Sequence, residues 1–171
     1  MSTRIPSADA LADLPLLDEA AIIERLAAVV QGAFRRQAWF LLLDARKAQL
    51  PIVIPMDLPR RPEGDSGEAL GRLLETLSTL EEVAEIAVVY ERPGPDLVTD
   101  DDLVWLIGIE DASGHTDLPV HGPFFATDTG IRRWKSHHDV DANDVMMQEW
   151  PHEDDDHPHA GGAGARGGRD A

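Results

Sequence analysis

Apolar side chains recur every three or four residues in two parts of the chain, and this spacing predicts amphipathic helices. Residues 18–31 form the first helix, and Gly32 stands where that helix would end. The second helix begins near Asp65 and Glu68, which have the spacing of a capping box. Its apolar face consists of five leucines, namely Leu70, Leu73, Leu74, Leu77 and Leu80.

A third helix is predicted after Thr99, which again has capping-box spacing with Asp102. Residues 103–109 are almost entirely apolar, so this helix has no polar face to offer to water. We therefore expect it to be well buried.

Short apolar runs between turn residues predict the strands. The first two form a hairpin, and Pro51 and Pro55 place the second of them at a sheet edge or a bulge, because proline donates no ladder hydrogen bond. The third is apolar on both faces, as a central strand covered by helices would be. The predicted strands are residues 39–44, 50–57, 86–90, part of 118–127, and a return strand at 131–134 after a turn at 128–130.

The order of these elements predicts an α/β fold, a single-domain sandwich with a mixed β-sheet and about three helices. With 171 residues and 43% apolar content, the chain can bury one sizeable core. We expect a flexible N-terminal segment at residues 1–16 and one domain at residues 17–150. A disordered tail, rich in acids, histidine and glycine, is predicted at residues 151–171.

The composition excludes several classes of protein. There is no cysteine, which rules out disulfides, thiolate zinc sites and a cysteine nucleophile. No secretory signal and no apolar run of the ~20 residues that span a bilayer are found, so we expect a cytoplasmic protein that does not bind membranes. The sequence also lacks a nucleophile elbow and a phosphate-binding glycine loop.

A formal net charge of −17 creates a field that repels phosphate backbones, so direct nucleic-acid binding is not expected. Residues 152–171 contain five acids and two arginines, a net charge of −3, which leaves about −14 for the rest. The acidity thus belongs mostly to the predicted domain. There it serves solubility or docking to a basic protein partner.

Four carboxylates lie within seven residues at the start of the third helix, and oxygen ligands of this kind bind Mg²⁺ or Ca²⁺. They belong to Asp96, Asp100, Asp101 and Asp102, whose spacing matches neither an EF-hand loop nor a phosphate loop. Acidic side chains are also favourable at a helix start, where backbone N–H groups are unpaired. We prefer this capping interpretation.

A second candidate metal site combines imidazoles and carboxylates from His115, Asp117, His121 and Asp128. The alternative, which we prefer, is that each histidine is a hydrogen-bonded structural residue, so no cofactor is predicted. Weaker candidate ligands lie in the linker and tail: His137, His138, Asp139, Asp141, Asp144, His152, His157 and His159.

Residues 86–90 are followed by a turn rich in proline and glycine and then by a capped helix start at Thr99. From about residue 40 to residue 134, the order of these features resembles the RadC-like branch of the JAB/MPN domain. In that family the buried strand ends in a His-x-His-Pro motif and the helix begins with Ser-x-x-Asp.

The family that the chain resembles binds zinc through the two histidines and the aspartate, and an upstream glutamate activates water. Here Tyr90 and Arg92 stand in the places of the histidines, and Pro93 follows them. Thr99 and Asp102 stand in the places of the serine and the aspartate. A guanidinium stays charged and cannot ligate a cation, so the resemblance implies a metal-free scaffold that has lost its catalysis.

Three hypotheses about function follow. The first is a non-enzymatic interaction or regulatory protein that binds a basic protein partner and has no catalytic residue. The second is a metal-dependent hydrolase that uses the candidate metal site around His115 and His121, and the third is a mimic of nucleic-acid charge. The interaction candidates of the first hypothesis are Tyr90, Arg92, Asp100, Asp101 and Asp102.

Overall fold

The computed structural model describes residues 14–136 and the backbone of residues 147–149. These residues form one α/β domain, and the predicted fold class is confirmed. In the described residues, no helix has the length and apolarity that a bilayer crossing requires. The elements are α1 (Glu19–Val30), β1 (Gln37–Leu43), β2 (Gln49–Asp57), α2 (Ser66–Ser78), β3 (Glu85–Glu91), α3 (Asp100–Ser113), β4 (Val120–Thr127), β5 (Gly130–Arg133) and β6 (Met147–Glu149).

Several predictions lie outside the described residues. They concern the tail at residues 151–171 and the candidate ligands from His137 to Asp144 and from His152 to His159. Leu16, at the end of the segment predicted to be flexible, is described and buried, and its N–H donates to the Lys47 carbonyl at 2.9 Å. The packed part of the chain therefore begins before residue 17.

The strands form one mixed sheet in the order β2-β1-β3-β4-β5-β6. β3 and β4 are parallel, and the other neighbours are antiparallel. A parallel pair needs a crossover, which α3 supplies, so α3 begins close to the carboxyl end of β3. β2 lies at one edge of the sheet, as its two prolines predict.

Successive side chains of β3 point to opposite faces of the sheet, and each face belongs to a separate hydrophobic core. Ile86, Val88 and Tyr90 face the side that α2 and α3 cover, while Ala87 and Val89 face the side that α1 covers. All five side chains are buried, which confirms the prediction of a central strand between helical layers.

The start of α2 differs from its prediction. Asp65 precedes the helix, but its side chain makes no capping hydrogen bond in the described structure. Instead, Arg72 pairs with Asp65 and with Glu68, each at 3.1 Å. The predicted capping box is therefore wrong, because an exposed guanidinium one or two turns away engages both carboxylates. Leu80 lies beyond the end of α2 and is exposed rather than part of its apolar face.

The start of α3 has the predicted capping box. The Asp102 N–H contacts the Thr99 hydroxyl at 3.3 Å, and the Thr99 N–H donates to Asp102 Oδ2 at 2.9 Å. Burial of this helix differs from the prediction, because only its inner face is covered. Val104 and Ile107 are 47% and 52% exposed, since no other described element packs on the outer side.

Candidate functional site

Tyr90, Arg92 and Asp102 lie together at the carboxyl end of β3. Tyr90 is the last residue of β3 on the side of α3, and Arg92 follows the strand directly. The crossover brings the first turn of α3, with Asp102, next to both of them. The three side chains that the family resemblance aligns with metal ligands are therefore neighbours, and all three are buried.

The Asp102 carboxylate is 0% exposed and accepts hydrogen bonds on both oxygens. Oδ1 accepts from the Tyr90 hydroxyl at 2.8 Å and from Arg36 Nη1 at 3.1 Å. Oδ2 accepts from the Thr99 hydroxyl at 2.8 Å and from Arg92 Nε at 3.0 Å. Arg36 Nη1 also donates to the Tyr90 oxygen, so the two side chains support each other. This network satisfies the buried carboxylate.

These contacts fix the protonation states of the site. Burial by itself would raise the pKa of the Asp102 carboxyl, but hydrogen bonds from Thr99 and Tyr90 and the charge of Arg92 outweigh burial and lower the pKa. Burial, and then the contact with Asp102, raises the pKa of the Tyr90 hydroxyl. At neutral pH, Asp102 is therefore an anion and Tyr90 is a neutral hydrogen-bond donor.

Aromatic rings surround the guanidinium groups of this site. The Tyr90 and Phe125 rings stack with centroids 5.8 Å apart. The guanidinium carbons of Arg92 and Arg132 lie 5.2 and 5.3 Å from the Phe125 centroid, within the range of cation–π contacts. Arg132 Nε also lies 3.0 Å from both carboxylate oxygens of Asp96. Asp96 thus serves as the partner of an arginine.

Asp101 holds a different part of the chain. Its two carboxylate oxygens accept hydrogen bonds from Arg60 and Arg61, in the loop between β2 and α2. The Arg61 bond, and then the Arg60 bond, lower the pKa of Asp101. Trp105 Nε1 donates to the Pro59 carbonyl at 3.0 Å and fastens the same loop to α3.

The acidic cluster is consequently occupied by arginines. Asp96, Asp101 and Asp102 each pair with at least one guanidinium, and Asp100 is exposed. No group of three His, Asp or Glu side chains suited to a metal ion occurs among the described residues. Three of the four carboxylates of this cluster therefore pair with arginines that lie elsewhere in the described chain.

The structure does not assemble the histidine site either. His115 Nδ1 lies 2.7 Å from the Asp111 carbonyl, on the surface just beyond α3. His121 Nε2 lies 2.7 Å from Glu85 Oε2, and Lys47 Nζ lies 3.4 Å from Glu85 Oε1. Each ring therefore contacts a different partner.

One acid of that candidate site is separated from its second histidine. His121 is the second residue of β4 and Asp128 directly follows the strand, so roughly 20 Å of extended chain lies between them. Asp117 is exposed in the loop before β4. Among the described residues, these four side chains do not form a group that could hold a metal ion.

Glu91 accepts hydrogen bonds from four donors, and no sequence pattern had marked it as a candidate residue. Glu91 Oε1 accepts the backbone N–H groups of Phe34 at 2.7 Å and Arg35 at 3.1 Å. Oε2 accepts from Gln37 Nε2 and Trp39 Nε1, each at 2.6 Å. Glu91 is buried, and within the described residues it takes part in no ion pair. The available signal was the position of this acid directly after the apolar run at residues 86–90.

The arginines of the site were also missed, apart from Arg92. The available signal was the arrangement of arginines in three doublets, Arg35–Arg36, Arg60–Arg61 and Arg132–Arg133, in a chain with only 15 lysines and arginines. One residue of the first doublet binds Asp102, and both residues of the second bind Asp101. Two of the three doublets therefore contain partners of the buried carboxylates, whereas Arg132 and Arg133 pair with the partly exposed Asp96 and Glu19.

The outer face of α3 carries an exposed stripe. Asp100, Val104, Ile107 and Asp111 are four, three and four residues apart, so they lie within about 60° of one another around the helix. All four are exposed, and Glu110, beside them, is exposed as well. The stripe is thus an apolar pair with a carboxylate at each end.

No family model, no curated protein and no solved structure matches this chain. The function must therefore be argued from the geometry of the described residues.

Proposed function

We propose that the protein is a non-enzymatic interaction or regulatory domain that binds a basic protein partner through the outer face of α3. The observation that carries this proposal is the exposure of Val104 and Ile107 between the carboxylates of Asp100 and Asp111. Branched apolar side chains on the outside of a helix favour protein contacts when charged residues border them.

The stripe suits an amphipathic helix of the partner. Asp100 and Asp111 are about 16 Å apart along the axis of α3, a span that a partner helix of three turns would cover. Apolar anchors of the partner would pack on Val104 and Ile107, and lysine or arginine at its ends would face the two carboxylates. A negative net charge of −17 would steer a basic partner toward the domain.

Of the five interaction candidates from the sequence, only Asp100 contributes to this surface. Tyr90, Arg92, Asp101 and Asp102 are buried in the arginine network, so a partner has no access to their side chains. Those four residues support the proposal indirectly, because they fix the start of α3 and hence the position of the stripe.

A labelled model peptide tests the proposal. An amphipathic helical peptide of about 18 residues, with leucine on one face and lysine on the other, is titrated with the full chain and followed by fluorescence anisotropy. We expect saturable binding at low ionic strength and weaker binding at about 0.3 M salt, since salt screens exposed charges. The double variant Val104→Ser and Ile107→Ser should weaken binding at least ~10-fold, an energy of about 1.4 kcal/mol.

The matched control removes an exposed apolar side chain elsewhere. Leu80→Ser changes a residue that is 44% exposed beyond the end of α2, and it should leave the affinity unchanged. Circular dichroism checks that each variant remains folded. If the stripe variant binds the peptide as tightly as the parent chain, or if the parent does not bind, the proposal is wrong.

We further propose that the Asp102 network occupies the place that the zinc centre has in the JAB/MPN family, which the chain resembles. What supports this is the convergence of Tyr90, Arg92 and Asp102, whose positions correspond to the three ligands. In place of a metal ion, the guanidinium of Arg92 supplies the positive charge beside the carboxylate. Such a domain would be a metal-free scaffold.

Restoring imidazoles tests this idea. The double variant Tyr90→His and Arg92→His is dialysed against zinc, and its metal content and thermal unfolding are measured. One equivalent of bound zinc that raises the unfolding temperature is expected, because binding to the native state alone stabilises it. Zinc content equal to that of the parent, in a variant that remains folded, would remove the support for the resemblance.

A further inference from the structure

A second surface, of opposite charge, lies at the carboxyl end of β3. Four guanidiniums share two carboxylates there, so the positive charges of these ion pairs exceed the negative ones by two. Arg60 and Arg61 are the exposed members, with 84% and 69% of their side chains accessible. The pairs are Arg60 and Arg61 with Asp101, and Arg36 and Arg92 with Asp102.

The loop between α1 and β1 adds an aromatic ring and another cation to this end. Phe34 is 78% exposed, and Arg35 beside it is exposed and makes no ion pair with any described residue. The Leu58 N–H donates to the Arg36 carbonyl at 3.0 Å, which joins this loop to the loop that carries Arg60 and Arg61. The aromatic ring and the exposed arginines therefore belong to neighbouring loops.

The backbone of Phe34 and Arg35 is held in place before any partner arrives. The buried carboxylate of Glu91 accepts both of their N–H groups, and Ala33 on their amino side is buried. Gly32 has φ +140°, and the Phe34 ring lies so close that a Cβ at Gly32 would be 2.9 Å from it. A side chain whose backbone is already ordered loses less entropy when it is bound.

We propose that Phe34, Arg35, Arg60 and Arg61 form a docking surface, here called the arginine surface, for an acidic segment of a partner protein that carries apolar side chains. Phe34 would enter an apolar contact at the centre, a position where aromatic residues supply much of the binding energy. The guanidiniums would pair with carboxylates around it, because their planar geometry matches carboxylates. The net charge of −17 opposes every anionic occupant, and it opposes a nucleic acid most, because a nucleic acid carries a charge on every phosphate whereas a peptide segment can alternate carboxylates with apolar side chains.

The probe for this surface is a labelled amphipathic peptide of about 18 residues with leucine on one face and glutamate on the other, titrated with the full chain. We expect saturable binding, and at least ~10-fold weaker binding for Arg35→Glu and for Phe34→Ser. A second peptide with the same composition in scrambled order should bind at least ~10-fold more weakly, because its leucines do not form one face.

Two control variants make the same chemical changes elsewhere. Arg46→Glu alters an exposed arginine in the turn between β1 and β2, at the opposite end of the sheet. Leu17→Ser alters a leucine that is 72% exposed near the start of α1. Both should keep the affinity within about twofold of the parent, as is usual for residues outside an interface.

Three results would overturn the proposal. They are the absence of binding to the parent chain, equal loss of affinity in Arg35→Glu and Arg46→Glu, and undiminished binding by Phe34→Ser. The second result would mean that only net charge matters, since both variants change it by the same amount. The lysine peptide that tests the α3 stripe has the opposite charge, so failure of one surface leaves the test of the other intact.

Discussion

Asp101 and Asp102 are adjacent in sequence, but their carboxylates hold different parts of the chain. Asp101 binds Arg60 and Arg61 in the loop after β2, whereas Asp102 binds Arg36 before β1 and Arg92 after β3. One turn of α3 therefore fixes three segments that are far apart in sequence. The positions of both proposed surfaces depend on this junction.

Asp102→Asn should destabilise the fold strongly. The substitution removes the charge opposite the buried Arg92, and an uncompensated buried charge costs about 3–5 kcal/mol. Urea unfolding at pH 7 measures the loss. Asp100 lies two residues earlier in the same helical turn, but it is exposed. Asp100→Asn should therefore lower the free energy of unfolding by less than about 1 kcal/mol, which is the usual contribution of a negative charge at a helix start. Equal losses in the two variants would contradict the central position that we assign to Asp102.

Asp101→Asn should release the loop after β2 without unfolding the domain. Arg60 and Arg61 would lose their shared partner, so the bond between them becomes more accessible to trypsin. We expect limited proteolysis at that bond to be several-fold faster than in the parent chain, while the Arg46 site is cleaved at an unchanged rate. A cleavage rate at Arg60 equal to that of the parent would show that Asp101 does not restrain the loop.

The two positions with capping-box spacing, Thr99 and Asp65, should contribute different amounts to the free energy of unfolding. Thr99→Ala should cost about 1 kcal/mol, because it removes the hydroxyl that contacts the Asp102 N–H and donates to the Asp102 carboxylate. Asp65→Ala should change the free energy of unfolding by less than about 0.5 kcal/mol, since Asp65 makes only an exposed pair with Arg72. Denaturant unfolding of both variants checks this, and a larger loss for Asp65→Ala would contradict the assignment of the caps.

The difference between Thr99 and Asp65 shows when the spacing of residues in the sequence predicts a helix cap correctly. The spacing at Thr99 and at Asp65 is the same, yet only Thr99 caps its helix, because Arg72 engages the carboxylates at the second site. The central position of β3 was predictable for a similar local reason, since the strand is apolar on both faces. A local signal is reliable only where no other side chain competes for the same group.

The candidate site is formed by contacts between residues far apart in sequence, which local sequence patterns cannot predict. Arg36 meets Asp102 across 66 positions of the chain, and Glu91 meets Phe34 across 57. The exposure of Val104 and Ile107 was missed because periodicity identifies apolar residues but not how many layers of structure will cover them. Tyr90 and Arg92 were identified only through the resemblance, which compared their order along the chain, whereas Asp102 was also marked by its capping-box spacing with Thr99.

The stability of the domain should depend on pH through Glu85. Burial would raise the pKa of this carboxyl, but hydrogen bonds and charges from His121 and Lys47 outweigh burial and lower the pKa. A carboxyl with a lowered pKa in the folded state stabilises the fold above its unfolded pKa of about 4.3, and this contribution disappears as the pH falls through the folded value.

His121→Gln tests that dependence. The substitution removes the imidazole partner of Glu85, so the variant should be less stable than the parent near pH 6, by less than about 1 kcal/mol for a partly exposed pair. The difference should shrink as the pH falls from about 4.3, the unfolded pKa of Glu85, through its lowered folded pKa, where the carboxyl becomes protonated. Urea unfolding between these pH values measures it, and a difference that grows toward acid would contradict the assignment.

Pro55 lies in the edge strand β2, whose outer side pairs with no other described strand. It lies opposite Trp39 in the β1–β2 pair, and opposite residues alternate between bonded and non-bonded pairs. Because proline has no N–H, the pair with Trp39 is a non-bonded one, and the backbone of Pro55 faces away from β1. The proline thus removes a donor from the outward edge of β2, where another strand could otherwise pair.

Pro55→Val should therefore increase self-association. The variant presents outward N–H groups at Val53, residue 55 and Asp57 in succession, which is the template that edge strands offer to other chains. We expect a larger mass by light scattering, rising with protein concentration and most clearly at high salt, which screens repulsion between acidic chains. Pro95→Val, in the exposed turn after β3, provides the control and should keep the mass of the parent. If Pro55→Val also keeps that mass at every concentration, the proline is not what protects the edge.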